Sequence, residues 1–206
     1  MKYKAIGFDY GGVIGGVGTT GNNFSDMARL LLGVSEDTFA ETYFGMNHKI
    51  NLGEVATWRE FWTEFLDKLG QPEKLDELMV LSDESSRNLL VIDYDMLALV
   101  DKLRQSGFKV GLLSNTTLEG ARYMREQNLD SHFDAFNASA EIKLMKPNPE
   151  AFAKLARELG VQLDELIFID DSEKSLSTAK ECGFTPILFI SRDELLKQLQ
   201  LLGIHA

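Results

Sequence analysis

Hydrophobic positions follow two alternating patterns along most of the chain. Short β-branched or aromatic runs give way to longer stretches in which apolar residues recur at helical spacing. Residues 3–8, 108–113, 166–169 and 185–189 read as strands, with a weaker candidate at 133–138. Helices with legible ends lie between them. Asp95 is placed to cap a helix whose apolar positions are Met96, Leu99, Val100 and Leu103, with Gly107 closing it. Asn148, Pro149 and Glu150 open another, with Phe152, Leu155, Ala156 and Leu159 on its apolar face and Gly160 at its end. This alternation predicts an α/β fold, a doubly wound (Rossmann-like) parallel sheet of about five or six strands.

The interval from Gly15 to Leu90 breaks the alternation, because it holds several helical patterns and no strand. It reads as a helical insertion, giving a core of residues 1–14 and 90–206 and an insert of residues 15–89. Its clearest element opens with the capping box Thr57-Trp58-Arg59-Glu60 and carries Trp58, Trp62, Phe65, Leu66 and Leu69 before Gly70. An insert after the first strand sits beside the carboxyl ends of the strands, where such sheets bind ligands. It is placed to act as a lid.

Charge narrows the function classes. The 206 residues hold 21 Lys and Arg against 32 Asp and Glu, a formal net charge of −11. That balance argues against nucleic acid, whose binding depends on cationic side chains neutralising phosphates, and against anionic membrane surfaces. No apolar run approaches the roughly 18 residues a spanning helix needs. The opening MKYKAIGF is interrupted by Asp9 and no small-residue cleavage site follows, so no signal peptide is expected. The single cysteine, Cys182, fits a reducing compartment, with the cytoplasm as default.

In a parallel sheet all carboxyl ends share one edge. Asp9, Ser114 and the pair Asp170-Asp171, each following a candidate strand, are therefore expected to be neighbours, with Lys146 on a loop able to join them. An aspartate after a strand is as readily an N-cap or turn residue. The combination is what carries information.

The segments FDYGGVI at 8–14, LLSNT at 112–116, KPNPEAF at 146–152 and FIDDSEKS at 168–175 resemble, in order and spacing, the four motifs of the haloacid dehalogenase superfamily. The resemblance covers the core, and the insert matches that family's helical cap in position. It implies that Asp9 is a nucleophile, that Ser114 and Lys146 bind the transferred group, and that Asp9, the Gly11 carbonyl, Asp170 and Asp171 hold Mg²⁺. Asn115 would orient the loop or substrate. The implied activity is a Mg²⁺-dependent phosphatase acting through an aspartyl-phosphate on a small, anionic, soluble phosphomonoester, with a sugar phosphate favoured.

Physical chemistry supports these roles. Three carboxylates facing a phosphoryl group of about −2 would repel it unless cations intervene. One hard divalent ion and Lys146 supply three positive charges, and helix N-termini supply N–H donors. One position departs from the family pattern. Most phosphatases of the superfamily carry an aspartate two residues after the nucleophile as general acid, and here that residue is Gly11. Its loss costs about 10²–10⁴-fold unless the leaving group is easy, as in an anomeric or acyl phosphate, or another group donates the proton. Two further readings stand beside the phosphatase: a 2-haloacid dehalogenase using the same nucleophile, and a weakly active regulatory protein that binds Mg²⁺ and phosphate.

Other features invite functional readings. Residues 16–21 fit G-x-G-x-x-G but lack the βαβ context, and read as a hinge or flap loop. His48, read as a loop histidine, and Lys49 could reach a substrate. Trp58 and Trp62 read as core of the insert, and Cys182 as a small core residue. His132 and Ser139 receive no role.

Overall fold

A computed structural model describes residues 2–15, 24–89 and 91–205, with the backbone alone for 85–89. The glycine-rich segment at 16–21 lies outside the described residues. Five strands form one parallel sheet: β1 (Ala5–Phe8), β2 (Lys109–Ser114), β3 (Ala135–Ala138), β4 (Leu166–Asp170) and β5 (Thr185–Leu188). Their order is β3-β2-β1-β4-β5, and every pairing is parallel. The chain builds outward from β1 in one direction and then crosses to begin again at β4. The switch between the two directions therefore falls at β1 and β4, where open α/β sheets place their ligands.

Alternation along the strands buries both faces. Ile6, Phe8, Val110, Leu112, Ile167 and Ile169 join one apolar cluster with α5 (Tyr94–Gln105) and α10 (Arg192–Leu201). Ala5, Leu113, Leu166 and Phe168 join the opposite cluster with α8 (Pro149–Leu159). Gly7 on β1 allows that second layer to close. A Cβ there would lie 2.5 Å from the Phe168 ring and 3.0 Å from Leu155.

Asn148 caps α8 by accepting from the Glu150 amide, and Gly160 ends it in the left-handed region, as expected. The cap of α5 is corrected: Asp93, two residues before Asp95, accepts from the amides of Asp95 and Met96. Asp93 also donates its backbone N–H to Ile14 O, and Gly15 bridges to Ile92. The chain thus leaves and re-enters the sheet region at one place, which anchors the N-terminus of α5 earlier than apolar periodicity indicates.

Between β1 and α5 lie α1 (Phe24–Leu32), α2 (Glu36–Asn51), α3 (Trp58–Leu69) and α4 (Leu75–Leu89), which share their own apolar cluster. Thr57 caps α3 by accepting from Glu60 N, and the Glu60 carboxylate accepts from Ala56 N, one residue earlier than in the ideal capping box. Trp62 is fully buried, and its indole N–H donates to Ser82 Oγ at 3.0 Å. His48 is exposed in the last turn of α2, so its placement in a loop is corrected, and Lys49 pairs with Glu64 at 2.6 Å. The helical run 36–51 continues through both. Among the described residues, no helix is long and apolar enough to cross a membrane.

Candidate active site

Asp9 follows β1 and Asp170 ends β4, and the two neighbouring strands hold them at one level: the Asp9 amide donates to Ile169 O at 2.9 Å. Asp171 is the next residue. Ligand-capable carboxylate oxygens of Asp9, Asp170 and Asp171 all lie within 4.8 Å of one another. The Lys146 ammonium stands 2.9 Å from Asp9 Oδ1 and 2.5 Å from Asp170 Oδ2, with its side chain almost fully buried. It also lies 5.2 Å from the centroid of the Phe168 ring, an added favourable contact for a cation.

Lys146 is held from the backbone side. Asn115 Nδ2 donates to Lys146 O at 2.9 Å, and Lys146 N donates to Asn115 Oδ1 at 2.8 Å. The carboxylates are oriented likewise: Asp9 Oδ1 accepts from Tyr10 N at 2.7 Å, and Asp170 Oδ1 from Ser172 N at 2.9 Å. Burial pushes the Asp170 carboxyl up to about 6, with the Asp9 charge acting in the same direction and Lys146 opposing. Asp171 is raised for the same two leading reasons, burial and then Asp9. Three carboxylates against one ammonium leave the cluster short of positive charge.

Gly12 shapes the turn after Asp9. Its φ of +69° lies in the left-handed region, and a Cβ would fall 1.9 Å from Asp171 Oδ2. At Gly11 a Cβ would meet nothing within 4 Å, and φ is outside the left-handed region. Nothing in the backbone therefore requires glycine at position 11.

A cleft of about 500 Å³ opens beside the cluster. Its sheet-side wall includes Tyr10, Gly11, Gly12, Ser114 and Asn115, with the N-terminal turn of α6 (Leu118–Glu126). Tyr43, Asn51, Trp58 and Asp83 line it from the helical segment. Ser114 is buried, and its hydroxyl makes no hydrogen bond to the described residues. Tyr10 is 7% exposed, and its hydroxyl has no partner; burial, with the Tyr123 phenol acting in the same direction, raises it to about 12.

All the residues singled out for the site, Asp9, Gly11, Ser114, Asn115, Lys146, Asp170 and Asp171, fall in the cluster or on the adjoining cleft. Trp58 needs correction. It stacks on Trp62 with ring centroids 5.7 Å apart, but it is only half-buried and lines the cleft. Helical spacing assigns a residue to the inner face without showing where that face ends. Cys182 is half-buried against the second sheet cluster. Ser139, which receives no role from sequence, is fully buried: its Oγ accepts from Thr116 N at 2.9 Å and lies 2.6 Å from Asn51 O, to which it donates. Its place directly after β3, on the same sheet edge as Ser114, is the signal that could have found it. His132 pairs with Asp101 at 2.8 Å, in contact with neither cluster nor cleft.

A doubly wound sheet with a carboxylate cluster at its switch point defines an α/β protein of the enzyme type that binds ligands at strand ends. Residues 3–183 match the haloacid dehalogenase-like hydrolase family, and the chain belongs to it. It is similar to phosphatase MT3486 of Mycobacterium tuberculosis, 24% identical over 217 residues that cover 98% of this chain and 96% of that one. It is also 28% identical to bifunctional epoxide hydrolase 2 of Sus scrofa over 114 residues, 53% of this chain and 20% of that protein. The chain thus spans about a fifth of the length of that relative. Among solved structures, a HAD family enzyme of Bacteroides thetaiotaomicron, bt-2542, in complex with magnesium and inorganic phosphate, superposes with a TM-score of 0.71 at 24% identity, covering 94% of this chain and 98% of that one.

Proposed function

We propose that the protein is a Mg²⁺-dependent phosphatase that hydrolyses a small phosphomonoester, a sugar phosphate in preference, through a covalent intermediate on Asp9. The observation that carries this reading is the convergence of Asp9, Asp170 and Asp171 within 4.8 Å around the buried Lys146 ammonium. Their hard oxygen donors fit Mg²⁺, which takes a few carboxylates together with substrate phosphate. Asp9, the Gly11 carbonyl, Asp170 and Asp171 would hold it, and when bound it neutralises charge on the phosphoryl oxygens. The phosphatase name of the mycobacterial relative and the magnesium and phosphate bound to the Bacteroides enzyme support the same reading.

An Asp9 carboxylate oxygen attacks phosphorus while the bond to the leaving-group oxygen breaks, leaving an aspartyl-phosphate. Water then attacks that phosphorus, releasing inorganic phosphate and restoring Asp9. Lys146 neutralises the phosphoryl oxygens, and the Ser114 hydroxyl donates to one of them. With glycine at position 11, no carboxyl at that position protonates the leaving oxygen, so anomeric phosphates, whose leaving groups are good, suit the site best. Residues 15–89 act as a cap over a core of 1–14 and 90–206, since Tyr43, Asn51, Trp58 and Asp83 close the cleft from that side. A dehalogenase has no use for three clustered carboxylates, which favours phosphate chemistry.

Release of inorganic phosphate, measured with and without Mg²⁺ across sugar, nucleotide and acyl phosphates, tests the reading. Metal-dependent turnover that disappears in Asp9→Asn is expected. Retained turnover in that variant sinks the mechanism, and chloride release from 2-chloropropionate without metal favours the dehalogenase.

A further inference from the structure

Four aromatic rings run in sequence through the helical segment to the wall of the cleft. Phe39 stacks on Tyr43 with ring centroids 6.0 Å apart, Tyr43 on Trp62 at 5.9 Å, and Trp62 on Trp58 at 5.7 Å. Phe39 and Trp62 are buried, whereas Tyr43 and Trp58 line the cleft. The stack is firmly held. Trp62 donates to Ser82, and Phe61 stands at 86° to Trp58 and 78° to Tyr43. Between the two cleft residues the chain is tied to the strand-end side, by Ser139 Oγ on Asn51 O at 2.6 Å and Lys143 Nζ on Gly53 O at 2.9 Å.

Packing of the helical segment accounts for the buried rings. It does not account for two features of the cleft-lining pair. Trp62 covers one face of the Trp58 indole, yet Trp58 is only half-buried and borders the cleft with the surface that remains. The Tyr43 ring lies within the stack, but its hydroxyl has no partner among the described residues, where a withdrawn phenol normally finds one. Among the described residues, the fully buried side-chain polar atoms left unpartnered are the Tyr10 hydroxyl and Arg29 Nε, so the Tyr43 hydroxyl keeps an opening, on the cleft that Tyr43 lines. Burial raises its phenol above the ordinary value, which keeps it a neutral donor. An aromatic face accepts the C–H face of a sugar ring, and a fixed hydroxyl on the same wall bonds a ring hydroxyl.

We infer that Tyr43 and Trp58 select the leaving group, the Trp58 indole covering one face of a sugar ring and the Tyr43 hydroxyl bonding one of its hydroxyls. This rests on the phosphatase reading and assigns its substrate selection to two side chains of the helical segment. The cleft volume of about 500 Å³ takes one hexose unit. An acyclic ester leaves both side chains unused, so the pair favours ring esters over acyl phosphates.

Glucose 1-phosphate, p-nitrophenyl phosphate and acetyl phosphate all carry good leaving groups, and they offer the pair a hydroxylated ring, a bare ring and no ring. Steady-state phosphate release with Mg²⁺ gives kcat/KM for each. In Trp58→Ala the ratio of glucose 1-phosphate to acetyl phosphate should fall roughly tenfold, mostly through KM, and the ratio for p-nitrophenyl phosphate should fall with it. Trp58→Phe should recover most of both. In Tyr43→Phe the stack survives and one hydrogen bond is lost, so the glucose 1-phosphate ratio alone should fall, by about three- to tenfold. Damage to packing would lower all three esters together and leave the ratios unchanged. Trp58 and Trp62 are the two tryptophans of the chain, so fluorescence adds a reading that needs neither turnover nor the alanine variant. Glucose 1-phosphate with Mg²⁺ should change the emission of full-length Asp9→Asn, and should not when Trp58→Phe is added. Wild-type protein that releases phosphate from none of the three esters counts against the phosphatase reading, and the inference falls with it. Turnover with unchanged ratios in these variants, or an emission change that persists without Trp58, overturns the inference and leaves the phosphatase standing.

Discussion

Asn115 and Lys146 clamp one another through two reciprocal hydrogen bonds, amide nitrogen to carbonyl at 2.9 Å and backbone N–H to amide oxygen at 2.8 Å. The clamp joins the end of β2 to the loop that delivers the buried ammonium, so Asn115 positions Lys146 without touching the carboxylates. Asn115→Ala would strand the Lys146 N–H and carbonyl, costing about 2–6 kcal/mol of stability at about 1–3 kcal/mol each. Displacement of the ammonium by about 1 Å should lower kcat by about 10²-fold with a smaller change in KM. Thermal unfolding and steady-state kinetics on the same variant check both. Asn115→Asp keeps the acceptor for Lys146 N but sets a carboxylate oxygen against Lys146 O and adds a negative charge beside the cluster, so it should be at least as damaging as the alanine. Unchanged kcat in Asn115→Ala would show that the clamp does not set the ammonium position.

Adjacent glycines at 11 and 12 have opposite reasons to be there. A Cβ at Gly11 has open space and an ordinary backbone angle, whereas at Gly12 it collides with Asp171. Gly11→Asp should fold and should raise turnover of unactivated alkyl phosphates by about 10²-fold, because it installs the missing acid next to the leaving oxygen. Anomeric and aryl phosphates, whose leaving groups need little protonation, should gain much less. Gly12→Ala should weaken Mg²⁺ binding and lower stability by 1 kcal/mol or more, roughly the cost of left-handed backbone alone. Comparing rates across leaving groups of graded basicity for Gly11→Asp provides the measurement; an equal gain for all esters would point away from acid catalysis.

The sheet and the cluster were legible because both depend on local pattern. Strand ends carry Asp9, Ser114 and Asp170, and parallel pairing alone brings strand ends together. What escaped depends on tertiary packing. Asp93 displaced Asp95 as a cap because the returning chain bonds to Ile14, a long-range contact invisible to periodicity. Trp58 and Trp62 occupy one helical face, yet only the second lies deep inside it. Tyr43 belongs to no motif until the folded chain sets it on the wall of the cleft. Ser139 has no motif because its partners, Thr116 and Asn51, come from different parts of the chain.

Ser139 links the helical segment to the loop after β2. It accepts from Thr116 N and donates to Asn51 O, and nearby Lys143 Nζ donates to Gly53 O at 2.9 Å. Ser139→Ala removes the first bridge and leaves Thr116 N and Asn51 O without it, for a loss of about 1–3 kcal/mol in stability. Because Asn51 and Thr116 both line the cleft, KM should rise more than kcat falls. Ser139→Thr keeps the hydroxyl and should restore part of the loss if its methyl is tolerated. A variant with wild-type KM and lowered stability alone would reduce Ser139 to a packing residue.

Asp170 makes the cluster sensitive to pH in a direction opposite to that of most carboxylates. Its folded-state value of about 6 exceeds the ordinary 3.8, chiefly through burial and the Asp9 charge. Between about pH 4 and pH 6 the folded state therefore binds the proton that the unfolded chain releases. Stability from this group is present below pH 4, is lost as pH rises towards 6, and stays lost above it. Metal-free protein should accordingly lose on the order of 2–3 kcal/mol from this site between pH 4 and pH 7, superimposed on the opposite trend of acids such as Glu165, which Lys4 and the Gln162 amide hold low. Asp170→Asn isolates the contribution by abolishing it, so the difference between the two denaturation profiles is the quantity to measure. If Asp170 holds Mg²⁺ as proposed, the same proton would compete with the metal, and the apparent Mg²⁺ affinity should fall about tenfold per pH unit below about 6. Calorimetric Mg²⁺ titrations from pH 5 to pH 8 follow that slope directly, and an affinity that stays flat across the range would show that Asp170 is already ionised in the folded protein.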